Sequence, residues 1–146
     1  MNYWLFVTTP TNWGITKKKH VLGYAERYRN LLSRTQKNDK CLVYIKGRDS
    51  HESFSDPTVI GEYEIVSDLY TDSKPLFDAK GAEKNETFPL RLKLKCLTPS
   101  AKPVAFRPLV SRLSFIKNKK YWGATFHGRV IVNISEQDYK TIVSAL

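Results

Sequence analysis

Residues 3–13 read Tyr-Trp-Leu-Phe-Val-Thr-Thr-Pro-Thr-Asn-Trp, and they set the architecture of this chain. The run up to the first threonine is aromatic, aliphatic or β-branched, a composition typical of a buried β-strand. Residues 9–12 then supply turn and capping chemistry, so a short helix is expected to open near Asn12 or Trp13. The lysines at 17–19 suit the negative end of a helix dipole. The chain therefore begins with a strand followed at once by a short helix.

The remaining sequence predicts further short strands and short helices. Apolar residues at helical spacing indicate a second helix over residues 25–34. In residues 90–97, apolar side chains alternate with Arg91, Lys93 and Lys95, which places these cations on the solvent side of a strand. More strands are predicted at 41–46, 59–66 and 126–134, and more helices at 108–113 and after the capping box at Ser135. About six strands in no regular βαβ order predict a mixed α+β domain, built on a small curved sheet or open barrel.

Length and composition favour one domain over residues 1–146. A chain of 146 residues that is 41% hydrophobic can form one core and is too short for two comfortable domains. No apolar run approaches the roughly 20 residues that a membrane-spanning helix needs. The first residues lack the charged region of a signal peptide. We therefore expect a cytoplasmic protein with no membrane partner.

Catalytic and metal-binding motifs are missing from the sequence. Cys41 and Cys96 lie in apolar runs without CxxC or Cys/His spacing, so both are expected to be free thiols. The histidines have no neighbouring nucleophile motif, and the seven glycines form no phosphate-binding loop. The sequence predicts no enzyme, no metal and no cofactor. An enzyme acting on a nucleotide or small acidic ligand stays an alternative function, because residues that are distant in sequence can converge in a fold.

Charge and aromatic content point towards nucleic acid. The segment 115–123 reads Phe-Ile-Lys-Asn-Lys-Lys-Tyr-Trp-Gly, in a protein with a net charge of +10 and 12% aromatic residues. Lysines attract the phosphate backbone, and aromatic rings offer faces on which unpaired bases stack. The competing interpretation is a basic loop beside core aromatics.

An ordered set of segments resembles a known family. It comprises Tyr-Trp-Leu-Phe-Val-Thr at 3–8, Asn-Trp at 12–13, Glu-Arg-Tyr-Arg-Asn at 26–30, Asp-Lys-Cys-Leu-Val-Tyr at 39–44, Gly-Glu-Tyr-Glu at 61–64, Phe-Arg-Pro-Leu at 106–109 and Leu-Ser-Phe-Ile-Lys-Asn-Lys-Lys-Tyr-Trp at 113–122. Together these segments, which cover essentially the whole chain, look like the EVE domain of the PUA-like superfamily.

The resemblance implies a fold and a function. The fold is a PUA-like pseudo-barrel of about six strands flanked by short helices. EVE domains are distantly related to the YTH domains that read methylated adenine in RNA, which implies a non-catalytic reader of a modified base in DNA or RNA. Extracting a base costs a few kcal/mol, which a snug aromatic pocket can offset. The resemblance leaves the base and the choice of DNA or RNA open.

Site residues follow from the same resemblance, position by position. Asn12 matches the asparagine that contacts the base, and Leu22 stands where the related readers place a cage tryptophan. The turn before the second matching strand is usually Gly-Asp, and Asn38 replaces that glycine here. The predicted base pocket comprises Asn12, Trp13, Leu22, Tyr24, Tyr70, Phe77 and Trp122.

Several of these residues have a structural alternative. Asn12 suits capping and base recognition equally, and Trp13 and Trp122 could pack in the core instead of lining a pocket. The predicted phosphate contacts are Lys17, Lys117, Lys119, Lys120 and Arg129. A PUA-type RNA-binding module without readout of a modified base is the main alternative function.

Overall fold

The computed structural model describes residues 1–47, 55–77 and 86–146. Within them, the strands are β1 (Tyr3–Thr8), β2 (Val21–Tyr24), β3 (Lys40–Ile45), β4 (Thr58–Ile65), β5 (Tyr70–Thr71), β6 (Leu90–Cys96), β7 (Val104–Ala105) and β8 (Ile131–Ile134). The α-helices are α1 (Pro10–Lys19), α2 (Arg29–Leu32) and α3 (Glu136–Val143), and 3-10 helices span Glu26–Tyr28, Arg107–Arg112 and Trp122–Phe126.

Six of the strands form one curled sheet in the order β2-β6-β4-β3-β1-β8. The neighbouring strands β1 and β3 are parallel, whereas the other pairs are antiparallel. The two-residue strands β5 and β7 pair with β6 and β4. This mixed α+β half-barrel with a few short helices confirms the predicted fold class.

The curled sheet has an apolar layer on each face. The inner layer contains Trp4, Phe6, Trp13, Leu22 and Tyr24, together with residues of β3, β4 and β6. In the outer layer, α3 and the 3-10 helices that follow β7 pack against the side chains on the other face of the same strands. Because side chains alternate along a strand, β1 contributes to both layers at once. That explains why its sequence is apolar without a polar alternation.

Two carboxylates fix the turns around the sheet. The buried side chain of Asp39 accepts hydrogen bonds from the indole N–H of Trp4 (2.9 Å) and the backbone N–H groups of Asn2 (3.0 Å) and Gln36 (3.0 Å). Asn38, just before it, has φ of 75°, which asparagine tolerates in place of glycine. Asp138 similarly accepts from the backbone and hydroxyl of Ser114. These contacts tie the loop before β3 to β1, and residues 114–115 to α3.

Several local predictions are wrong. Residues 25–34 form a 3-10 turn and the four-residue α2 instead of one helix, since Tyr24 belongs to β2. The strand predicted from residue 126 begins only at Ile131, after a 3-10 helix. Arg91 is 3% exposed, although alternation placed it towards solvent. Strand β5 pairs with β6 at this position, and the carbonyl groups of Lys74, Thr87 and Phe88 accept hydrogen bonds from Arg91.

Candidate nucleic-acid interface

One edge of the sheet gathers the ends of β1 and β3 and the starts of β4 and β8; we call it the upper edge. Lys46, after β3, donates its backbone N–H to the carbonyl of Thr8 at 2.9 Å. Val7 donates to Val130 at 2.8 Å, which brings the chain at Arg129 to the same edge. Ile45 pairs with Thr58 at the start of β4. Helix α1 leaves β1 here, so its first turn lies at the upper edge.

An aromatic cluster supports the outer side of this edge. The rings of Tyr44 and Phe126 stack with centroids 4.0 Å apart, and Phe106 packs edge-on against both. Trp122 lies over this cluster, with its ring centroid 5.6 Å from that of Phe106. Phe115 reaches Phe126 from the far side at 6.2 Å. The half-buried Trp122 is therefore anchored structurally while part of its surface stays accessible.

Arg107 joins this cluster, and the sequence did not single it out. Its guanidinium carbon lies 5.5 Å from the Trp122 ring centroid, close enough for a cation–π contact. Nη2 also donates a 2.9 Å hydrogen bond to Oδ1 of Asp56, in an ion pair whose two side chains are each 55% exposed. The hydrogen bond and the nearby charge raise the pKa of Arg107. The position within Phe-Arg-Pro-Leu at 106–109 was the available sequence signal.

The lysine-rich segment next to the cluster is exposed. Lys117, Lys119 and Lys120 all face solvent. Lys119 donates from Nζ to the carbonyl of Leu113, so its stem lies back along the loop. Nζ of Lys120 lies 5.4 Å from the ring centroid of Tyr121. The segment thus presents exposed lysines, one of which has its ammonium group beside a ring.

Helix α1 carries two of the predicted pocket residues. Thr9 is its N-cap and accepts from the backbone N–H of Asn12 at 3.3 Å, so the cap is not the Asn12 side chain. Asn12 is half-buried in the first turn. Trp13 is 8% exposed and meets Tyr63 of β4 edge-on, at 6.0 Å between centroids. Lys17 is exposed in the last turn, away from the upper edge.

The predicted walls on β2 are core residues in this structure. Leu22 is 1% exposed, and Tyr24 is 6% exposed. The Tyr24 hydroxyl donates to the carbonyl of Val7 at 2.9 Å, and its ring stacks on Phe6. Burial raises the pKa of Tyr24 well above the usual tyrosine value. Both side chains belong to the inner layer that Trp13 also joins.

Tyr70 and Phe77 lie on the other face of β2 and β6. Gly23 and Tyr70 each pair with Arg91, and paired residues point to the same side of a sheet. Phe77 packs against Gly23 so closely that a Cβ there would clash with its ring. Phe77 also contacts Arg91, at 5.7 Å from the guanidinium carbon to the ring centroid. The structure therefore separates these two rings from Leu22 and Tyr24.

The predicted site residues fall into four groups, of which Tyr70 and Phe77, on the other face of β2 and β6, are one. Asn12 and Trp13 lie on α1, over the inner layer with Leu22 and Tyr24. Trp122 and the three lysines lie on the outer side, and Arg129 lies at the upper edge. Within the described residues, Lys17, Lys117, Lys120 and Arg129 have no ion pair, whereas Arg107 and Lys140 do.

The described ranges offer little support for metal binding or for a reactive thiol. They contain no group of three histidine, cysteine or acidic side chains that could hold a metal ion. Cys41 and Cys96 are free, and burial raises the pKa of the Cys41 thiol, which keeps it protonated. None of the helices described is both long and apolar enough to cross a bilayer.

The curled sheet with short flanking helices is a PUA-like fold. Solved proteins share this fold, among them human THYN1 and the Mmi1 YTH domain. Human THYN1, solved in complex with DNA containing 5-methylcytosine, has a TM-score of 0.59 at 14% identity, over 99% of this chain and 97% of that one. The Mmi1 YTH domain has a TM-score of 0.58 at 11% identity, over 99% of this chain and 86% of that one.

The family follows from sequence comparison. A UPF0310 protein of Pyrococcus abyssi is 38% identical to this chain over 146 residues, which is 100% of both. The model of the EVE domain matches residues 2–145. The chain therefore belongs to the EVE domain family.

Proposed function

We propose that this EVE domain is a non-catalytic nucleic-acid-binding module that reads a modified base at its upper edge. The observation that carries the proposal is the basic and aromatic surface formed by Arg107, Trp122, Arg129 and the lysines of 117–120. Exposed cations without ion pairs attract phosphates, and rings beside them can contact bases. THYN1, which shares the fold, was solved with DNA containing 5-methylcytosine, and that supports the same class of ligand.

The base is proposed to enter beside the first turn of α1. Thr9 caps the helix, so Asn12 lies in the first turn and is not the N-cap. Asn12 carries an amide that can both donate to and accept from a base edge. Trp13 keeps 8% of its surface exposed for a methyl group on the base to contact, whereas Leu22, at 1%, packs in the core below it. Trp122 is proposed as the outer wall.

The phosphates are proposed to follow the exposed cations. Lys117, Lys119, Lys120 and Arg129 flank the upper edge, and Arg107 becomes a fifth contact once it leaves Asp56. Lys17, at the other end of α1, is proposed to touch the strand further along. Arginine binds phosphate with a planar fork, whereas lysine acts as a point charge, so Arg107 and Arg129 are the orienting contacts.

One observation favours a second candidate, a PUA-type RNA-binding module without modified-base readout. Leu22 and Tyr24 are almost fully buried, and Phe77 and Tyr70 lie on another face, so the seven predicted pocket residues do not form one aromatic cage. Such a module would dock structured RNA through its basic surface alone. Its affinity would then follow RNA shape and salt, with no preference for a modified base.

A binding panel tests the proposal. Matched DNA and RNA oligonucleotides, each with one methylated or unmodified base, are titrated against the protein at several salt concentrations. We expect one modification to bind at least tenfold more tightly, and Asn12→Ala to remove that preference. Thr9→Ala is the matched control, since it changes the same turn without removing the amide. Equal affinity for all members, with structured RNA strongest, would replace the first candidate with the second.

A further inference from the structure

Tyr121 is the only aromatic side chain in the described part of the chain that is mostly exposed, at 63%. Single exposed apolar residues are common on protein surfaces, so exposure alone does not indicate a site. Tyr121 differs because its backbone is fixed and because the ammonium group of Lys120 lies beside its ring. Both features bear on what the ring can bind.

Four contacts hold the backbone that presents Tyr121. Its N–H donates to Oδ1 of Asn118 at 3.0 Å, and its carbonyl accepts from the N–H of Ala124 at 3.1 Å. The next residue, Trp122, is anchored on Phe106. Lys119 reaches back to the carbonyl of Leu113. A ring on a fixed backbone has only two side-chain torsions to order, so a ligand that stacks on it meets a small entropic cost.

One cation lies beside the Tyr121 ring, and two more belong to the same surface. Nζ of Lys120 sits 5.4 Å from the ring centroid, while the side chain as a whole stays 63% exposed. Lys117 is exposed in the same loop, and Arg107 covers the neighbouring Trp122. An ammonium group beside an accessible ring matches one nucleotide, whose base can stack while its phosphate meets the charge.

We propose that Tyr121 and Lys120 form a stacking site for one unpaired nucleobase outside the base pocket. The ring takes the base, and Lys120 takes the adjacent phosphate. Bases inside a duplex already have both faces covered by neighbouring pairs, so the ligand that fits this site is single-stranded or locally opened nucleic acid. The inference rests on the proposed function and narrows its ligand class.

The test compares a single strand with a duplex of the same unmodified sequence. Fluorescence anisotropy gives the Kd of both probes for the wild type, Tyr121→Ala and Tyr121→Phe. We expect Tyr121→Ala to raise the Kd for the single strand about 5- to 100-fold, which is the range for losing one base–aromatic stack. The Kd for the duplex should rise less than about twofold. Tyr121→Phe keeps the ring and should bind both probes like the wild type. Val66→Ala, which trims another exposed apolar side chain, is the control.

The salt dependence separates this site from phosphate binding. Removing a ring releases no counterions, so the slope of log K against log salt should be the same for Tyr121→Ala and the wild type. Thermal unfolding of each variant excludes a folding defect. An equal loss on both probes, or no loss on the single strand, would overturn the stacking site and leave nucleic-acid binding intact. A wild type that binds neither of these unmodified probes would overturn the stacking site, whereas the proposed function is overturned only if the modified oligonucleotides of the binding panel are not bound either.

Discussion

The guanidinium carbon of Arg107 lies 5.5 Å from the ring centroid of Trp122, and Nη2 of the same side chain donates to Oδ1 of Asp56 at 2.9 Å. One arginine thus contacts a ring and a carboxylate at the same time. A phosphate oxygen is another acceptor that the same guanidinium group can bind. Asp56 and nucleic acid are therefore expected to compete for Arg107.

Asp56→Asn should strengthen nucleic-acid binding. The substitution removes the charge that holds Arg107, and we expect Kd for a duplex to fall about two- to fivefold at moderate salt. Glu136→Gln is the matched control, because it makes the same change in net charge at another exposed ion pair, with Lys140. If both variants gain affinity equally, the effect is overall charge, and the competition does not exist.

Lys117→Gln with Lys120→Gln should reduce the salt dependence of binding. Each phosphate contact contributes about 0.9 to the slope of log K against log salt on duplex DNA, so the double variant should lose about 1.8. The measurement is a set of titrations from low to moderate salt. The control is Lys37→Gln with Lys140→Gln, whose lysines pair with Asp68 and Glu136. If the slope is unchanged in the Lys117→Gln, Lys120→Gln double variant, these two lysines do not contact phosphates.

Asp39→Ala should destabilise the fold. Its carboxylate accepts from Trp4, Asn2 and Gln36, and hydrogen bonds to a charged acceptor are among the stronger ones. We expect a loss of about 2–4 kcal/mol in urea unfolding, with water replacing part of the lost contacts. Asp68→Ala, at a side chain that is 84% exposed, should change stability little. Equal effects would mean that the three contacts contribute nothing net.

Thr9→Ala should destabilise α1 without a selective effect on any base. Its hydroxyl accepts from the N–H of Asn12, and loss of an N-cap threonine costs about 0.5–2 kcal/mol. Circular dichroism during thermal unfolding measures the change. Thr9→Ser keeps the acceptor and should restore most of the stability. If Thr9→Ala selectively lost affinity for one modified base, the contact with that base would be assigned to Thr9 and not to Asn12.

Stability should fall as the pH rises above about 8.5. Burial raises the pKa of the Cys41 thiol, so between the unfolded and folded pKa values the unfolded chain loses a proton that the folded chain keeps. That difference favours unfolding by up to about 1.4 kcal/mol for each pH unit. Tyr24 adds the same effect above about pH 10. The free energy of unfolding measured in urea at successive pH values gives the slope.

Cys41→Ala supplies the control for this pH dependence. The variant is expected to be less stable at neutral pH, because it leaves a small cavity in a filled core. Its stability should nevertheless decline less steeply than that of the wild type between pH 8.5 and 10. Parallel curves for the two proteins would contradict the assignment to Cys41.

Local chemistry in the chain was enough to predict much of the fold. Strand β1 appears at Tyr3–Thr8, as its aromatic and β-branched run predicts, and the Ser135 cap of α3 accepts from Asp138. Asn38 takes the left-handed conformation expected for a substitute of glycine. Each of these features depends on neighbours in sequence, whose propensities and caps act over one or two turns.

Only the tertiary structure determined where the remaining site residues lie. Strand β2 has four residues and gains its hydrogen bonds from β6, about seventy positions away, so no local pattern could separate Tyr24 from a helical stripe. The same long-range pairing buries Arg91 and turns Phe77 away from Leu22. Arg107 and Trp122 are the first residues of two 3-10 helices, and only tertiary packing brings Arg107 to Trp122 and Asp56. Residue types therefore predicted a class of ligand, whereas the curling of the sheet decided which of those residues lie close together.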